Sequence, residues 1–257
     1  QTTRGRLIGL VNQDDCQVVF SDTPGYVNEP AYELHRTMNN YIHEAFEDAD
    51  VLMLITDKYQ SEDEQQFLIQ QCCQSKLPVI IVLNKVDLCK PAEIPAIQAR
   101  WESLIPGARF IAVSAKENFN TQGIIEMVKP FMPESPAYYS KEDLTDRNMR
   151  YFVAEIVREN IFLQYEKEIP YACEVVVEEY KELDSMDRIR CVIYVERDSQ
   201  KNIVIGAKGS AINKLGTASR KQIEGFIDKK VFLDLFVKVR DGWRNNELDL
   251  KRFGYKG

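Results

Sequence analysis

The sequence predicts an α/β domain with a mostly parallel sheet, followed by an α+β domain. Two observations separate them. Apolar runs of strand length alternate with helical patterns through the first half of the chain, which is typical of a parallel sheet covered by helices on both faces. The Pro-containing stretch 132–136 then ends this alternation. The chain has 257 residues, of which 44% are hydrophobic, so each domain can bury a core of its own.

The first domain is predicted to span residues 1–133 and to contain five strands and four helices. Ser61 followed by Glu64 is a capping box that begins the second helix, and Pro78 leads into a buried strand. Polar residues 13–15 between the first two strands predict a hairpin. The predicted strands are Leu7–Asn12, Gln17–Asp22, Val51–Asp57, Val79–Leu83 and Arg109–Ser114, and the predicted helices cover residues 31–48, 61–75, 92–104 and 121–131.

The second domain is predicted to span residues 146–257, after a linker at 134–145. It begins with a helix over residues 146–164. Two strands follow, Tyr171–Lys181 and Ile189–Glu196, and then a pair of helices on either side of Gly206 and Gly209. A last strand is predicted over Val231–Arg240.

Composition excludes several classes of protein. No stretch approaches the ~20 apolar residues that cross a bilayer. The six cysteines form no C-x-x-C pair and the two histidines lie eight residues apart, so we expect no zinc site. A disulfide scaffold would be unusual at this size, and we therefore place the chain in a reducing cytoplasm.

The charge of the chain is unevenly distributed. Residues 1–200 carry 20 Lys and Arg against 34 Asp and Glu, whereas residues 201–257 carry 13 against 6. A basic segment on a protein of net charge −7 favours a polyanionic partner for that segment. From charge alone, a solvated charged face is an equally good interpretation.

Three polar motifs follow predicted strands of the first domain, where ligands bind in sheets of this kind. The first is Asp22-Thr23-Pro24-Gly25. Its aspartate can hold Mg²⁺ through water, and the glycine N–H can approach a terminal phosphate. An ordinary turn is an equally good interpretation of this motif by itself.

The second motif, Asn84-Lys85-Val86-Asp87, carries more information because it follows a fully apolar strand. The Asp87 carboxylate can accept from the two adjacent N–H groups that guanine offers and adenine lacks. Asn84 would brace neighbouring loops while the stem of Lys85 covers the base. The third motif, Ser114-Ala115-Lys116, follows the next strand, and the Ala115 N–H could meet the guanine carbonyl oxygen.

In this order, the three motifs resemble those of GTPases. The resemblance implies a P-loop NTPase-like fold of the TRAFAC GTPase class, with GTP or GDP and Mg²⁺ as cofactors. The opening Gln1-Thr2-Thr3-Arg4 then resembles the first switch of Era and related bacterial GTPases, in which a threonine hydroxyl completes the magnesium shell. We assign that threonine to Thr3, with Thr2 as the alternative.

Two departures from the GTPase pattern limit this assignment. The G-x-x-x-x-G-K-[ST] loop that cradles the phosphates is absent from the sequence, so we expect a fold without the first strand and P-loop, a gap in the sheet, and defective nucleotide binding by this chain. Tyr26 stands where Ras-type proteins have a water-positioning glutamine. The resemblance therefore implies a slow GTPase in the intact parent protein, with no catalytic residue assigned.

The second domain carries a G-x-x-G motif with an apolar run before it and an amphipathic helix after it, which resembles the KH signature. Glycines let the backbone approach a nucleotide chain, and Lys208 attracts phosphate. The helix before the first strand matches the bacterial type II KH arrangement. The predicted RNA-binding residues are Ile205, Gly206, Ala207, Lys208, Gly209, Ser210, Lys214 and Arg220.

A GTPase followed by a type II KH domain is the layout of the Era family, which the whole chain resembles, including Gly242-Trp243-Arg244 and Phe253-Gly254-Tyr255 near its end. The resemblance implies binding of the 3′ end of 16S rRNA, a role in maturation of the small ribosomal subunit, and a monomer. Two alternatives stay open. One is a KH protein with a non-hydrolysing GTPase-like scaffold; the other is a GTPase with peripheral contact at the inner face of the cell membrane.

Overall fold

The computed structural model describes residues 3–255, which pack into two compact units. The parallel-sheet unit consists of Gly9–Ser21 and Ile42–Leu144. The C-terminal unit consists of residues 3–8, Asp22–Tyr41 and residues 145–255. Two segments from the first half of the chain therefore pack with the second half. The predicted domain limits, 1–133 and 146–257, stay a prediction about which parts of the chain fold independently.

The strands of the first predicted domain form two separate sheets in the part of the chain that the structure describes. Strands β1 (Leu7–Asn12) and β2 (Gln17–Asp22) make a two-stranded sheet. Strands β3 (Leu52–Thr56), β4 (Val79–Leu83) and β5 (Arg109–Ala112) make a parallel sheet in the order β3-β4-β5.

Strand β4 is buried on both faces, as its uninterrupted apolar sequence predicts. Ile80 and Val82 point into one apolar cluster, which also contains Val18 of β2. Val79 and Ile81 point into a second cluster, which contains Trp101. The helices of this part of the chain are α1 (Glu33–Asp48), α2 (Glu62–Gln74), α3 (Ile94–Leu104) and α4 (Gln122–Val128). The capping box that was predicted at Ser61 and Glu64 begins α2.

The C-terminal unit is built on a three-stranded sheet in the order β6-β7-β8, in which β6 and β7 are antiparallel and β7 and β8 are parallel. The sequence prediction placed the start of the first of these strands too early. Pro170 lies at the start of a helical turn instead, and β6 begins at Glu174. The elements are α5 (Met149–Gln164), α6 (Ile169–Ala172), β6 (Glu174–Lys181), β7 (Asp187–Val195), α7 (Asp198–Ile205), α8 (Ser210–Ile227), β8 (Val231–Val239) and α9 (Glu247–Arg252).

The segment 22–41 packs against the C-terminal end of this unit. Leu34 and Met38 of α1 lie in one buried cluster with Trp243 and Tyr255. Trp243 is fully buried, and its indole N–H donates to the carbonyl oxygen of Ala172 at 3.1 Å. The two terminal motifs singled out in the sequence therefore form part of the core of the C-terminal unit.

Arg4 anchors the N-terminal segment in the same unit. Only 2% of the residue is exposed. Its guanidinium donates to Glu174 Oε2 at 3.0 Å and to the carbonyl oxygens of Cys173, Pro170 and Tyr171 at 2.7–3.1 Å. The hydroxyl of Tyr255 donates to the same Glu174 oxygen at 2.7 Å. These bonds give a buried carboxylate both a cation and a hydroxyl donor, which burial of a charge requires.

Replacing Arg4 with alanine should destabilise the C-terminal unit by about 4 kcal/mol, because it leaves the Glu174 charge buried without its cation. Arg36→Ala is the matched control, since it removes an ion pair with Glu33 in which 65% of the Arg36 side chain is exposed. We expect that change to cost less than about 1 kcal/mol. Urea unfolding followed by Trp243 fluorescence in a Trp101→Phe background measures both. Equal losses for the two variants would contradict a structural role for Arg4.

Candidate nucleotide and RNA sites

The motif Asn84-Lys85-Val86-Asp87 begins directly after β4. Hydrogen bonds of Asn84 connect the ends of β3, β4 and β5. The Asn84 N–H donates to the carbonyl oxygen of Thr56 at 2.8 Å, at the end of β3. Asn84 Oδ1 accepts from the N–H of Lys85 at 2.7 Å and from the N–H of Ala115 at 3.1 Å, after β5. Asn84 therefore links the loops that follow β4 and β5. The same bond occupies the Ala115 N–H that was predicted to meet a guanine carbonyl, so that contact requires an exchange of partners.

Asp87 and Ser114 form the other link between these loops. The buried Ser114 hydroxyl donates to Asp87 Oδ1 at 2.6 Å, while Asp87 itself is exposed. Ser114 is in turn fixed by a bridge with Phe119, with N···O distances of 2.9 and 3.1 Å. The Ser114 hydroxyl thus fixes one oxygen of the Asp87 carboxylate, and the carboxylate group still reaches solvent. Lys116 is exposed and lies 3.9 Å from Glu117.

The side chain of Lys85 is held at both ends. Its backbone adopts the left-handed conformation, with φ of 58° and ψ of 36°. Its Nζ lies 2.7 Å from Asp57 Oδ2, directly after β3. Asp57 is not among the site residues predicted from the sequence. The available signal was its position, because it is a polar residue at the carboxyl end of a buried strand, like Asn84 and Ser114.

The predicted magnesium ligands come together in the C-terminal unit. The Thr3 hydroxyl donates to Asp22 Oδ2 at 3.3 Å. Desolvation by the surrounding protein raises the pKa of Asp22, although its side chain still reaches solvent, and the Thr3 hydrogen bond opposes that shift. A hydroxyl and a carboxylate are hard oxygen ligands of the kind Mg²⁺ uses. The two residues fit the ion; the alternative ligand, Thr2, lies outside the described residues.

The rest of the first motif, Thr23, Pro24 and Gly25, follows β2 as predicted, with Pro24 buried and Gly25 exposed. A Cβ added at Gly25 would meet no atom within 4 Å, so space for a close ligand is present there. This motif belongs to the C-terminal unit and the two guanine-type motifs belong to the parallel-sheet unit.

The G-x-x-G motif forms a tight turn between α7 and α8. Gly206 has φ of 72° and ψ of 172°, a conformation that only glycine adopts readily. Lys208 and Gly209 are both left-handed, with φ of 51° and 79°. The Gly209 N–H donates to the Gly206 carbonyl oxygen at 3.1 Å, which closes the turn. The backbone therefore has the shape that lets a nucleotide chain approach closely.

Helix α5 supports this turn from behind. Gln164 donates to the carbonyl oxygen of Ala211 at 2.7 Å, and the Tyr165 hydroxyl donates to that of Val204 at 2.7 Å. Ala207, Lys208 and Ser210 are exposed, whereas Ile205 is half-buried against the core.

The two further predicted RNA-binding cations do not lie on one side of α8. Lys214 and Arg220 are both exposed. Six residues correspond to about 600° of rotation, which places them roughly 120° apart around the helix axis. The pKa of Glu224 is lowered, chiefly by a hydrogen bond from the Val231 N–H, while burial opposes that shift. The charges of Lys230 and Arg220 lower it further, so Arg220 lies near this carboxylate. Lys214 is the better placed of the two to extend the surface of the loop.

Three findings concern the classes considered from composition. Among residues 3–255, no helix has the length and apolar character needed to cross a membrane. The same residues bring together no cluster of three or more His, Cys, Asp or Glu side chains suited to a metal ion. All six cysteines are free thiols, and burial raises the pKa of Cys72 to about 11 and of Cys191 to about 12.

Comparison with known protein families gives two matches. Residues 1–85 match the family described as 50S ribosome-binding GTPase. Residues 168–244 match the KH domain family. This range includes the Gly206 turn and the Gly242-Trp243-Arg244 motif.

Known relatives match along the whole chain. A chloroplastic ERA-like GTPase of Oryza sativa subsp. japonica is 40% identical over 261 residues, and the GTPase Era of Geotalea daltonii is 38% identical over 258. The match covers 100% of this chain in both cases, 62% of the rice protein and 86% of the bacterial one. The chain thus spans less than two thirds of the length of the rice relative.

Solved structures of Era share the fold of the chain. One is a complex with MgGDPNP and nucleotides 1506–1542 of 16S ribosomal RNA, and another is a point variant of Aquifex aeolicus Era bound to GDP.AlF4⁻. Each superposes with a TM-score of 0.88 at 29% identity, covering 100% of this chain and 88% of the other.

The two glycines of the G-x-x-G turn should respond differently to alanine. A Cβ at Gly206 would lie 2.6 Å from Ala211 Cβ and 2.9 Å from Ala211 N, whereas a Cβ at Gly209 would meet only Asn213 Nδ2 at 3.9 Å. We expect Gly206→Ala to lower the free energy of unfolding by about 3 kcal/mol. Gly209→Ala should lower it by about 1 kcal/mol, from its left-handed backbone alone. Chemical denaturation measures both, and a larger loss at Gly209 would show that the turn has a different shape.

Proposed function

Because the chain belongs to the GTPase Era family, we propose that it provides the guanine-reading and RNA-binding parts of a GTP-hydrolysing switch protein. One observation carries the nucleotide half of this proposal. The Asp87 carboxylate reaches solvent while one of its oxygens is held by the buried Ser114 hydroxyl, 2.6 Å away. A carboxylate fixed in this way at the end of a parallel sheet presents an acceptor of defined direction to a base.

Guanine fits this acceptor because its ring N–H and its exocyclic amino group lie side by side. Adenine offers no such pair, so its binding would leave the charge without donors. The hydrogen bond from the Ala115 N–H to Asn84 Oδ1 holds the loop after β5 beside the loop after β4. The same N–H would change partner and donate to the carbonyl oxygen of the base. Selection for guanine then comes from the loops after β4 and β5. Strand pairing and the hydrogen bonds of Asn84 and Ser114 fix the positions of these loops relative to each other.

Thr3 and Asp22 would hold a magnesium ion in the C-terminal unit. A magnesium ion held by their oxygens would neutralise charge on the terminal phosphates during attack by water. Gly25 has the open surroundings that a close phosphate needs. Tyr26 cannot position water as a glutamine amide does, and we assign no catalytic residue.

The G-x-x-G turn would hold single-stranded RNA. The turn presents the exposed Lys208 on a backbone that its two glycines keep open, in the segment of the chain with a basic excess. A related Era has been solved with nucleotides 1506–1542 of 16S ribosomal RNA. We propose that this chain binds the same 3′ region and acts in maturation of the small ribosomal subunit.

The proposed place of action is a reducing compartment. The six free thiols support it, because none takes part in a disulfide. We propose the cytoplasm, with membrane contact limited to peripheral association.

Asp87→Asn should change base preference from guanine to xanthine in the full-length protein. The change replaces an acceptor with a donor, and xanthine has a carbonyl where guanine has its amino group. We expect affinity for GDP to fall by a few kcal/mol, about the loss from unmatched buried polar groups. Competition between GDP and xanthosine diphosphate measures the preference. Unchanged guanine selectivity would show that Asp87 does not contact the base.

Replacing Ala207 and Lys208 together with aspartates should weaken binding of single-stranded RNA at least about tenfold at moderate salt, because it adds charge that repels phosphate. Gly206 and Gly209 remain, so the turn should persist. The measurement is fluorescence anisotropy with an oligonucleotide that copies the 3′ end of 16S rRNA, repeated over a range of salt concentrations.

A double change of Lys230 and Lys251 to aspartate is the matched control for added negative charge. Both side chains are exposed, and both lie beyond α8 in sequence from the turn. This variant should lose less RNA affinity. A folded Ala207 and Lys208 double variant that binds RNA as tightly as the parent would remove the turn from the RNA site.

A further inference from the structure

Residues 57–60 form the loop that follows β3, and residues 84–88 form the loop that follows β4. Two side chains that reach in opposite directions connect these loops. The ammonium group of Lys85 lies 2.7 Å from Asp57 Oδ2. In return, Lys58 Nζ donates to the carbonyl oxygen of Leu88. Strand pairing brings these loops together, because Thr56 lies opposite Leu83 in the parallel register and both loops leave the sheet from that level.

Asp57 is the fixed partner of the ion pair. Its Oδ1 accepts from the N–H groups of Tyr59 and Gln60 at 2.8 and 3.2 Å, which lock the carboxylate into the turn. Only 12% of the Asp57 side chain is exposed, against 56% for Lys85. The hydrogen bond from Lys85 lowers the pKa of Asp57, and the same bond raises that of Lys85, so both stay charged at neutral pH.

Holding the ammonium group fixes the four-carbon stem between it and the backbone. A lysine stem normally loses conformational freedom when a ligand orders it, which weakens binding. At Lys85 the left-handed backbone and the Asp57 carboxylate fix the two ends before any ligand arrives. The stem can therefore offer a formed apolar surface to the flat face of a base.

We propose that Asp57 is a positioning residue for base recognition, which acts by holding Lys85 across the face of the bound purine. The proposal rests on the guanine-reading function proposed above. It has a distinctive consequence, because a stem that covers the ring face contacts guanine and hypoxanthine alike. Asp87, in contrast, responds to the 2-amino group that hypoxanthine lacks. Loss of Asp57 should then weaken both bases equally, whereas loss of Asp87 should change their ratio.

The test compares GDP and inosine diphosphate affinities of the full-length protein by titration calorimetry. Asp57→Ala should lower both affinities by about 3- to 10-fold and leave their ratio unchanged. In a Lys85→Ala background the same change should have no further effect, since Asp57 acts through that side chain. Glu62→Gln is the matched control. It removes an ion pair with Arg100 in the same unit, at 2.6 Å and exposed on both sides, and should leave nucleotide affinity unchanged.

Three results would overturn the inference. If Asp57→Ala leaves affinity unchanged while Asp87→Asn alters the base ratio, the proposed function holds and the role of Asp57 is wrong. An equal loss from Asp57→Ala with and without Lys85 would show that Asp57 acts by another route. If no variant or parent binds a guanine nucleotide, the proposed function fails and the role of Asp57 fails with it.

A second measurement tests the ion pair in this chain without any nucleotide. Asp57→Asn keeps the shape of the side chain and the hydrogen bonds from residues 59 and 60, but removes the charge that protects the Lys85 ammonium. Acetylation of Lys85 by acetic anhydride, measured by mass spectrometry relative to the exposed Lys90, should become several-fold faster. An unchanged ratio would show that Asp57 does not hold Lys85.

Discussion

The burial of β4 on both faces is the constraint on which the polar loops after β3, β4 and β5 depend. Five consecutive apolar residues can be kept from water only between two layers, so the chain must place helices above and below this strand. No polar group fits within that span. The first polar residue, Asn84, therefore appears where the strand leaves the core, level with the ends of β3 and β5. The same packing that stabilises the sheet thus collects Asp57, Asn84 and Ser114 at one edge.

The C-terminal unit depends on a different kind of interaction. Its sheet has an apolar inner face against α5, α7 and α8, but near Glu174 it also buries charge, and Arg4 and Tyr255 satisfy that charge. A buried ion pair of this kind contributes little net stability compared with apolar packing, yet breaking it is expensive. The segment that occupies this place therefore has to supply a cation and donors for three backbone carbonyl groups, which Arg4 does. The segment selected in this way also carries Thr3.

Much of this fold could be predicted from local sequence patterns. The ranges of β1, β2 and β4 were predicted to the residue, because apolar runs and turn residues define them. The start of β6 was placed wrongly, since apolar residues near Pro170 suit a strand and a buried helical turn equally. Of the site, the motifs at Asn84, Ser114 and Gly206 could be found because each depends on residues close in sequence.

What local patterns could not supply were partners distant in sequence. Glu174 lies 170 residues from Arg4, and Asp57 lies 28 residues from Lys85. Both acidic residues look like ordinary solvated charges in the sequence. Their roles follow from strand register and burial, which are properties of the folded chain alone.

The position of Arg4, one residue after Thr3, limits how far Thr3, the proposed magnesium ligand, can move. Adjacent Cα atoms are separated by about 3.8 Å, so Thr3 stays close to its neighbour Arg4 as long as that residue remains buried. A larger excursion requires the guanidinium to leave Glu174 and three backbone carbonyl groups at once. Thr3 consequently lies next to a fixed point of the chain, which α6 and the start of β6 hold in the unit that carries the G-x-x-G turn.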